Sequence, residues 1–227
     1  MAKYIKRTKH HQLFINGGIL YRAMSESPNT SKRAITTFRR QGGTVRMSDA
    51  LENGISRHTL YGLRDQGLIE QVSRGVYRLA ELTPLSNPDL VTVALRIPKG
   101  VVCLVSALSY HELTTEIPHE VSIAVERGKE PKPNIDHPPT RLYRFSGASF
   151  RSGIETHTVD GISIQVYSPA KTVADCFKYR NKLGIDVALA ALKDWRERNE
   201  FQVSELLTQA RACRVEKVMT PYIESVL

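Results

Sequence analysis

The stretch that most constrains this chain is Ile55-Ser56-Arg57-His58-Thr59-Leu60. Ser56 is a strong helix N-cap residue, because its hydroxyl can accept an amide proton that the first turn leaves unpaired. Ile55 and Leu60 stand one before and four after that cap, the spacing of a hydrophobic staple. A helix is thereby pinned to begin at Arg57, and Gly67 ends it after Gln66. Leu60 and Leu63 face one side. Arg57, Tyr61 and Arg64 recur at spacings of four and three on the other, with His58 and Thr59 in the first turn.

The neighbours of this helix complete a pattern. Residues 30–41 read as a helix capped by Thr30 or Ser31, with Ala34, Ile35 and Phe38 as its apolar stripe and Gly42 and Gly43 as its stop. Val45 is a single bridging strand residue. Ser48 caps a short helix with Ala50 and Leu51 inward and Gly54 just past its end. Residues 68–72 and 75–79 read as strands around Ser73-Arg74-Gly75, a hairpin turn with a basic tip. Two short helices joined by a turn, then a hairpin, are the order of a winged helix-turn-helix. Arginine binds guanine edges in a fork, and Tyr or His reaches base or phosphate. The expected DNA contacts are therefore Arg57, His58, Thr59, Tyr61 and Arg64, Arg74 at the wing, and Lys32 and Arg33 on the first helix. The competing reading is a protein-interaction module whose basic faces are merely solvated.

Charge favours the first reading. The 227 residues carry a formal +9, a balance that suits polyanionic partners. Residues 1–82 hold 14 Lys/Arg against 6 Asp/Glu, and residues 83–227 hold 18 against 17. The excess belongs to the first third. Pro84, Ser86, Asn87 and Pro88 mark a linker at residues 83–89. The expected organisation is a basic arm at 1–29, a winged helix-turn-helix at 30–82 and an α/β domain at 90–227. The fold class is α+β. The arm, with Lys3, Lys6, Arg7 and Lys9, is either a solvated tail or a tracker of DNA phosphates.

Several classes are excluded. The longest apolar run, near residues 101–105, is far short of the ~20 residues that span a bilayer. The apolar patch at residues 13–21 is broken by Asn16, Gly17 and Gly18 and lacks a convincing cleavage site, so no signal peptide or membrane anchor is expected. Cys103, Cys176 and Cys213 are odd in number and widely spaced, as buried thiols in a reducing cytoplasm are. No phosphate loop, zinc spacing, nucleophile elbow or dinucleotide fingerprint occurs, so no cofactor, metal or catalytic residue is expected. His10-His11 is too short for a metal site, and Glu130-Pro131-Lys132 lies in a Pro-rich loop where strand-borne nuclease ligands do not belong.

The last two-thirds read as α/β, ending in helices. Residues 101–105 and 121–125 are strand-like, and 142–145 alternate. Residues 156–159 and 162–167 surround Asp160-Gly161, a hairpin signal. Ser106 is taken to cap a helix through Leu113. Ser168 caps another, with Pro169 at its first position. Helices follow at 186–198, with Val187, Ala190, Ala191 and Trp195 on one face, at 204–214 and at 215–227. His111 reads as a structural histidine. Lys171 and Asp175, four apart on a helix, read as a surface pair. The alternative makes Lys171, with Lys178 and Arg180, a functional basic patch.

The stretch GISRHTLYGLRDQGLIEQVSRGVYRL resembles the amino-terminal winged-helix domain of AbiEi-type antitoxins, including its Arg74–Tyr77 run. SALSYHELTTEIP at residues 106–118 and GISIQVYSPAKTVADCF at residues 161–177 are similar to later stretches of that family. The resemblance implies a two-gene toxin–antitoxin system of bacterial abortive-infection type. The winged helix would bind repeats in double-stranded promoter DNA and repress its own operon. The carboxy-terminal domain would counter a nucleotidyltransferase toxin without a stable complex. Apart from the resemblance, a two-fold operator would call for a homodimer, although no dimer seam is legible in the sequence. Two other functions remain open: a nuclease delivered by the winged helix, and a regulator sensing a ligand through residues 90–227.

Overall fold

A computed structural model describes residues 28–129, 135 and 137–226. The arm, except its last two residues, lies outside them, as do the patch at 13–21, His10-His11 and Glu130-Pro131-Lys132.

The described part opens with α1 (Pro28–Arg40), whose Ala34 and Phe38 are buried, and turns at Gly42 and Gly43. β1 (Thr44–Arg46), α2 (Met47–Glu52), α3 (Arg57–Asp65), β2 (Ile69–Ser73) and β3 (Val76–Leu79) follow. The strands form an antiparallel sheet in the order β1-β3-β2. Ala34 and Phe38 from α1, Leu60 and Leu63 from α3, and Ile69 and Tyr77 from the sheet share one core. Each large apolar side chain buried there is worth ~1.5–3 kcal/mol relative to exposure. β1 is a three-residue strand rather than a single bridge.

Two expectations fail in α2. Its N-cap is Arg46, and the Ser48 hydroxyl donates to Asp49 instead, at 3.0 Å. Leu51 is exposed while Ala50 is buried. In this six-residue helix Ala50 enters the core and Met47 packs against it half-buried, while the residue after Ala50 points ~100° away.

The expected linker contains the start of a helix. In α4 (Pro88–Arg96) the Asn87 side chain accepts from the Leu90 amide at 3.1 Å, and Pro88 fills the first position, where its missing N–H costs nothing. Upstream, Arg78 is buried; its guanidinium donates to the carbonyls of Leu82 and Thr83. One of the basic residues in the first-third excess is thus a strut for the connecting segment.

The remainder contains β4 (Val101–Val102), α5 (Leu104–Tyr110), β5 (Val121–Glu126), β6 (Thr140–Phe145), α6 (Ala148–Arg151), β7 (Ile154–Val159) and β8 (Ile162–Tyr167). These are followed by α7 (Pro169–Lys178), α8 (Arg180–Leu183), α9 (Ile185–Arg196), α10 (Val203–Cys213) and α11 (Glu216–Val226). The sheet order is β6-β5-β4-β8-β7, with parallel β5/β6 and β4/β8 pairs and antiparallel β4/β5 and β7/β8 pairs. The sequence alternates accordingly: Val102, Ile123, Ile164 and Val166 meet α4, while Val101, Ala124 and Tyr167 meet the helical layer around Phe177 and Trp195. The β7/β8 turn is Asp160-Gly161, both at positive φ, as a two-residue hairpin loop requires. Ser168 caps α7, as expected.

Three expectations change here. Ser106 does not cap α5, whose N-cap is Cys103; the Ser106 hydroxyl donates to the Glu120 carbonyl at 3.2 Å and accepts from the Ser122 amide at 2.9 Å. On α9 the buried face is Ala188, Ala191, Leu192 and Trp195, and Ala190 is exposed. Lys171 and Asp175 are not a surface pair. Both are fully buried, and the ammonium donates to the carboxylate inside the core. The sequence spacing fixes only that the two share a face; that face is the one packed on the sheet.

The two halves touch at several places, among them the following three. Arg46 donates to the Leu95 carbonyl at 3.1 Å. Asp160 accepts from the Ser86 amide and hydroxyl at 2.9 and 3.0 Å. Gly42 meets Gly161 backbone to backbone, so that a Cβ on Gly42 would lie 2.9 Å from the Gly161 carbonyl oxygen. No helix among the described residues is long and apolar enough to cross a membrane.

Candidate nucleic-acid interface

Ser56 starts α3 as its chemistry dictates. Its backbone is extended (φ −70°, ψ 157°), and its hydroxyl accepts from the Thr59 amide at 3.0 Å. Ile55 and Leu60 are both buried, consistent with the staple. With Leu60 and Leu63 turned inward, the helix period carries Arg57, Tyr61 and Arg64 to the opposite side. There they border an open groove of about 640 Å³. Across it lies the tip of the β2/β3 hairpin, where Arg74 is exposed. The Met47 amide donates to the Gly75 carbonyl at 2.8 Å, which fastens that tip to the start of α2.

The groove is cationic and partly aromatic. The Arg64 guanidinium lies 5.2 Å from the centroid of the Tyr61 ring, within cation–π range. It also donates through Nε and Nη2 to Asp65 Oδ1, at 3.0 and 2.8 Å. That hydrogen bond, with the nearby charge of Asp65, raises the Arg64 pKa further. Tyr77 forms part of the floor, and burial raises the pKa of its hydroxyl. These groups are donors at neutral pH, which suits a surface meeting acceptor-rich phosphates and base edges.

The expected contacts divide. Arg57, Tyr61, Arg64 and Arg74 come together around the groove. His58 is exposed but does not border it. Thr59 is buried, and its hydroxyl lies 2.9 Å from the Ser56 hydroxyl, so it supports the cap rather than facing outward. Lys32 and Arg33 are exposed on α1 along a separate cleft that includes Arg40, Asn53 and Gly54.

The patch of Lys171, Lys178 and Arg180 does not form a surface. Lys171 is buried with Asp175, Lys178 is exposed with its ammonium 2.8 Å from the Ser149 hydroxyl, and Arg180 donates to the Phe177 carbonyl at 2.9 Å. His111 is structural in geometry. Its Nε2 lies 2.7 Å from the Tyr167 carbonyl, which can only accept, so Nε2 carries the proton. Burial holds its pKa below the ordinary histidine value, with the bond to Tyr167 opposing. Among the described residues no group of three or more His, Cys, Asp or Glu could hold a metal ion.

Two groove arginines escape the sequence reading. Arg46 grips Asp49 through Nε and Nη2, at 2.9 and 2.8 Å, and Arg96 arrives from α4. The signal for Arg96 was present: Asn87-Pro88-Asp89 is a cap, a first-turn proline and a first-turn acid, which together start a helix.

Residues 32–80 match the model of a family described as transcriptional regulator, AbiEi antitoxin. The match runs from α1 to just past β3 and so includes Arg57, Tyr61, Arg64 and Arg74. The stretches at 106–118 and 161–177 lie outside it. No curated protein matches the chain.

Proposed function

We propose that this chain is an antitoxin-type transcriptional regulator that binds double-stranded promoter DNA through a winged helix-turn-helix at residues 30–82. The observation that carries the reading is the groove itself. Arginines from α3 and from the hairpin tip converge on it, within the segment matched to the regulator family. In this reading α3 is the recognition helix, the β2/β3 hairpin is the wing, and Arg57, Tyr61 and Arg64 meet base edges while Arg74 meets phosphate. Thr59 sustains the cap. His58, Lys32 and Arg33 lie at the margins, as phosphate contacts. Residues 90–227 form the second domain and counter a nucleotidyltransferase toxin, and the regulator binds operator repeats as a homodimer. The chain acts by binding rather than by catalysis.

The test is promoter binding by the purified chain across a salt series, with an unrelated duplex beside it. Arg57→Ala and Arg64→Ala are each expected to cost ~1–3 kcal/mol and to relax sequence preference. Arg74→Ala is expected to weaken both duplexes evenly. A folded Arg57/Tyr61/Arg64 triple variant with unchanged promoter affinity overturns the assignment. Rescue of cells from a neighbouring nucleotidyltransferase toxin by this chain tests the second domain. Metal-dependent cleavage of DNA or RNA by the purified protein would replace the regulator with a nuclease.

A further inference from the structure

We infer that the nucleic-acid surface extends beyond the family-matched segment: Arg96, in the last turn of α4, contacts DNA phosphate across the same groove, and Arg46 positions it. The inference rests on the DNA-binding reading above.

Three observations carry it. First, Arg96 borders the groove together with Arg57, Tyr61, Arg64 and Arg74, although it lies sixteen residues past the end of the family match at residue 80. Second, its guanidinium stands beside the hairpin tip, with Nη1 3.9 Å from where a Cβ on Gly75 would be. Third, its backbone is held from both sides. The Arg46 guanidinium grips Asp49 with two donors and gives a third to the carbonyl of Leu95, the residue before Arg96. Leu90, Val91 and Val93 anchor the rest of α4 on the five-stranded sheet.

Arg46 and Arg96 therefore have different tasks. Arg46 commits three donors to protein acceptors on α2 and α4, which makes it a brace. Arg96 is half-buried, so its stem is packed while its head borders the groove. A guanidinium held at this edge has the shape to match two phosphate oxygens and little conformational freedom left to lose. A groove lined by Arg46, Arg57, Arg64, Arg74 and Arg96 attracts a polyanion, and a phosphate chain is the anion with the right repeat. A phosphate contact carries no base preference.

The experiment uses the full-length chain, with promoter and unrelated duplexes titrated across a salt series. Arg96→Ala is expected to weaken both duplexes by a similar factor, about five- to tenfold at low salt, and to shallow the log K against log salt slope by about 0.9. Arg96→Lys keeps the slope. Arg96→Gln is the second variant if the alanine change disturbs folding, and the same shallowing is expected of it. Arg46→Met is expected to shallow the slope by the same amount, with Arg46→Met/Arg96→Ala no worse than Arg96→Ala alone. A melting temperature lowered without a slope change would make Arg46 merely structural and overturn its positioning role. An unchanged slope in folded Arg96→Ala or Arg96→Gln overturns the inference, and so does a loss confined to the promoter duplex. In those cases promoter binding by the unaltered chain leaves the DNA-binding reading standing. No binding by the unaltered chain removes that reading itself.

Discussion

Lys171 and Asp175 stand one turn apart on α7, and the ammonium of one donates to the carboxylate of the other where neither meets solvent. The carboxylate also accepts from the Cys213 thiol, at 3.2 Å, and the ammonium lies 4.0 Å from the Tyr167 ring centroid. Burial raises the Asp175 pKa, and Lys171 opposes that rise. Lys171→Met is expected to cost ~3–5 kcal/mol by leaving a carboxylate unpaired in the core, whereas Lys171→Met/Asp175→Leu costs less than either single change. Denaturant unfolding measures all three, and a double variant less stable than Lys171→Met contradicts this account.

Stability and binding separate within two adjacent residues. Ser56→Ala removes the cap of α3 and is expected to cost ~1 kcal/mol. For a chain of this size that is a fall in Tm of ~2–4 °C. Arg57→Ala, on the exposed side, is expected to stay within ~0.5 kcal/mol in the same melt. Equal destabilisation by the two would place Arg57 in the packing rather than on the groove.

In the proposed binding mode, Asp65 competes with DNA for Arg64. Both Arg64 donors on that side converge on one Asp65 oxygen, at 3.0 and 2.8 Å. The pair is exposed, so separating it costs only ~0.2–1 kcal/mol. Asp65→Asn is expected to tighten duplex binding by about two- to fivefold, since it frees the fork and removes a negative charge near phosphate. Weaker binding by Asp65→Asn would mean that the carboxylate aims Arg64 instead of occupying it.

The contact between Gly42 and Gly161 makes another prediction. Gly42 has φ +78°, and an added Cβ would press on the Gly161 carbonyl oxygen. Gly42→Ala is expected to cost about 2 kcal/mol from the left-handed backbone alone, a fall in Tm of ~4–8 °C. Gly54→Ala supplies the control: its φ is +79° but nothing lies within 4 Å of the added carbon. A Gly42→Ala loss no larger than that of Gly54→Ala would show that the contact yields without cost.

His111 gives the stability a pH dependence of known sign. Its folded pKa is lowered by burial, so between that value and the unfolded value near 6.5 the unfolded chain binds more protons. Its contribution is complete above about pH 6.5 and is lost as the pH falls through the lowered value. Urea midpoints between pH 5 and 7.5 are expected to fall less steeply toward acid in His111→Gln than in the unaltered chain. Parallel curves would remove His111 as the source.

The sequence revealed local features better than placement. Ser56, Ser168 and the Asp160-Gly161 turn are legible because each involves backbone groups within a few residues. Ser48 and Ser106 have the same local chemistry, yet their hydroxyls go to Asp49 and to the Glu120 carbonyl and Ser122 amide. A serine marks a polar need without saying which group meets it. The spacing of Lys171 and Asp175 puts them on one helical face, but whether that face meets water depends on the sheet beneath it. Arg96 is hidden in the sequence for a related reason. Asn87 and Pro88 mark both loops and helix starts, and only the apolar run after them decides between the two.

The buried Arg78 guanidinium holds the carbonyls of Leu82 and Thr83, and Asn87 already caps α4. Only residues 84–86 lie between those two anchors, a tether of about 10 Å even when fully extended. Ser86 is itself bonded to Asp160. Whatever the arginine groove grasps, the near-neutral half must follow at a fixed offset, as cargo on a short rigid hitch rather than a weight on a rope.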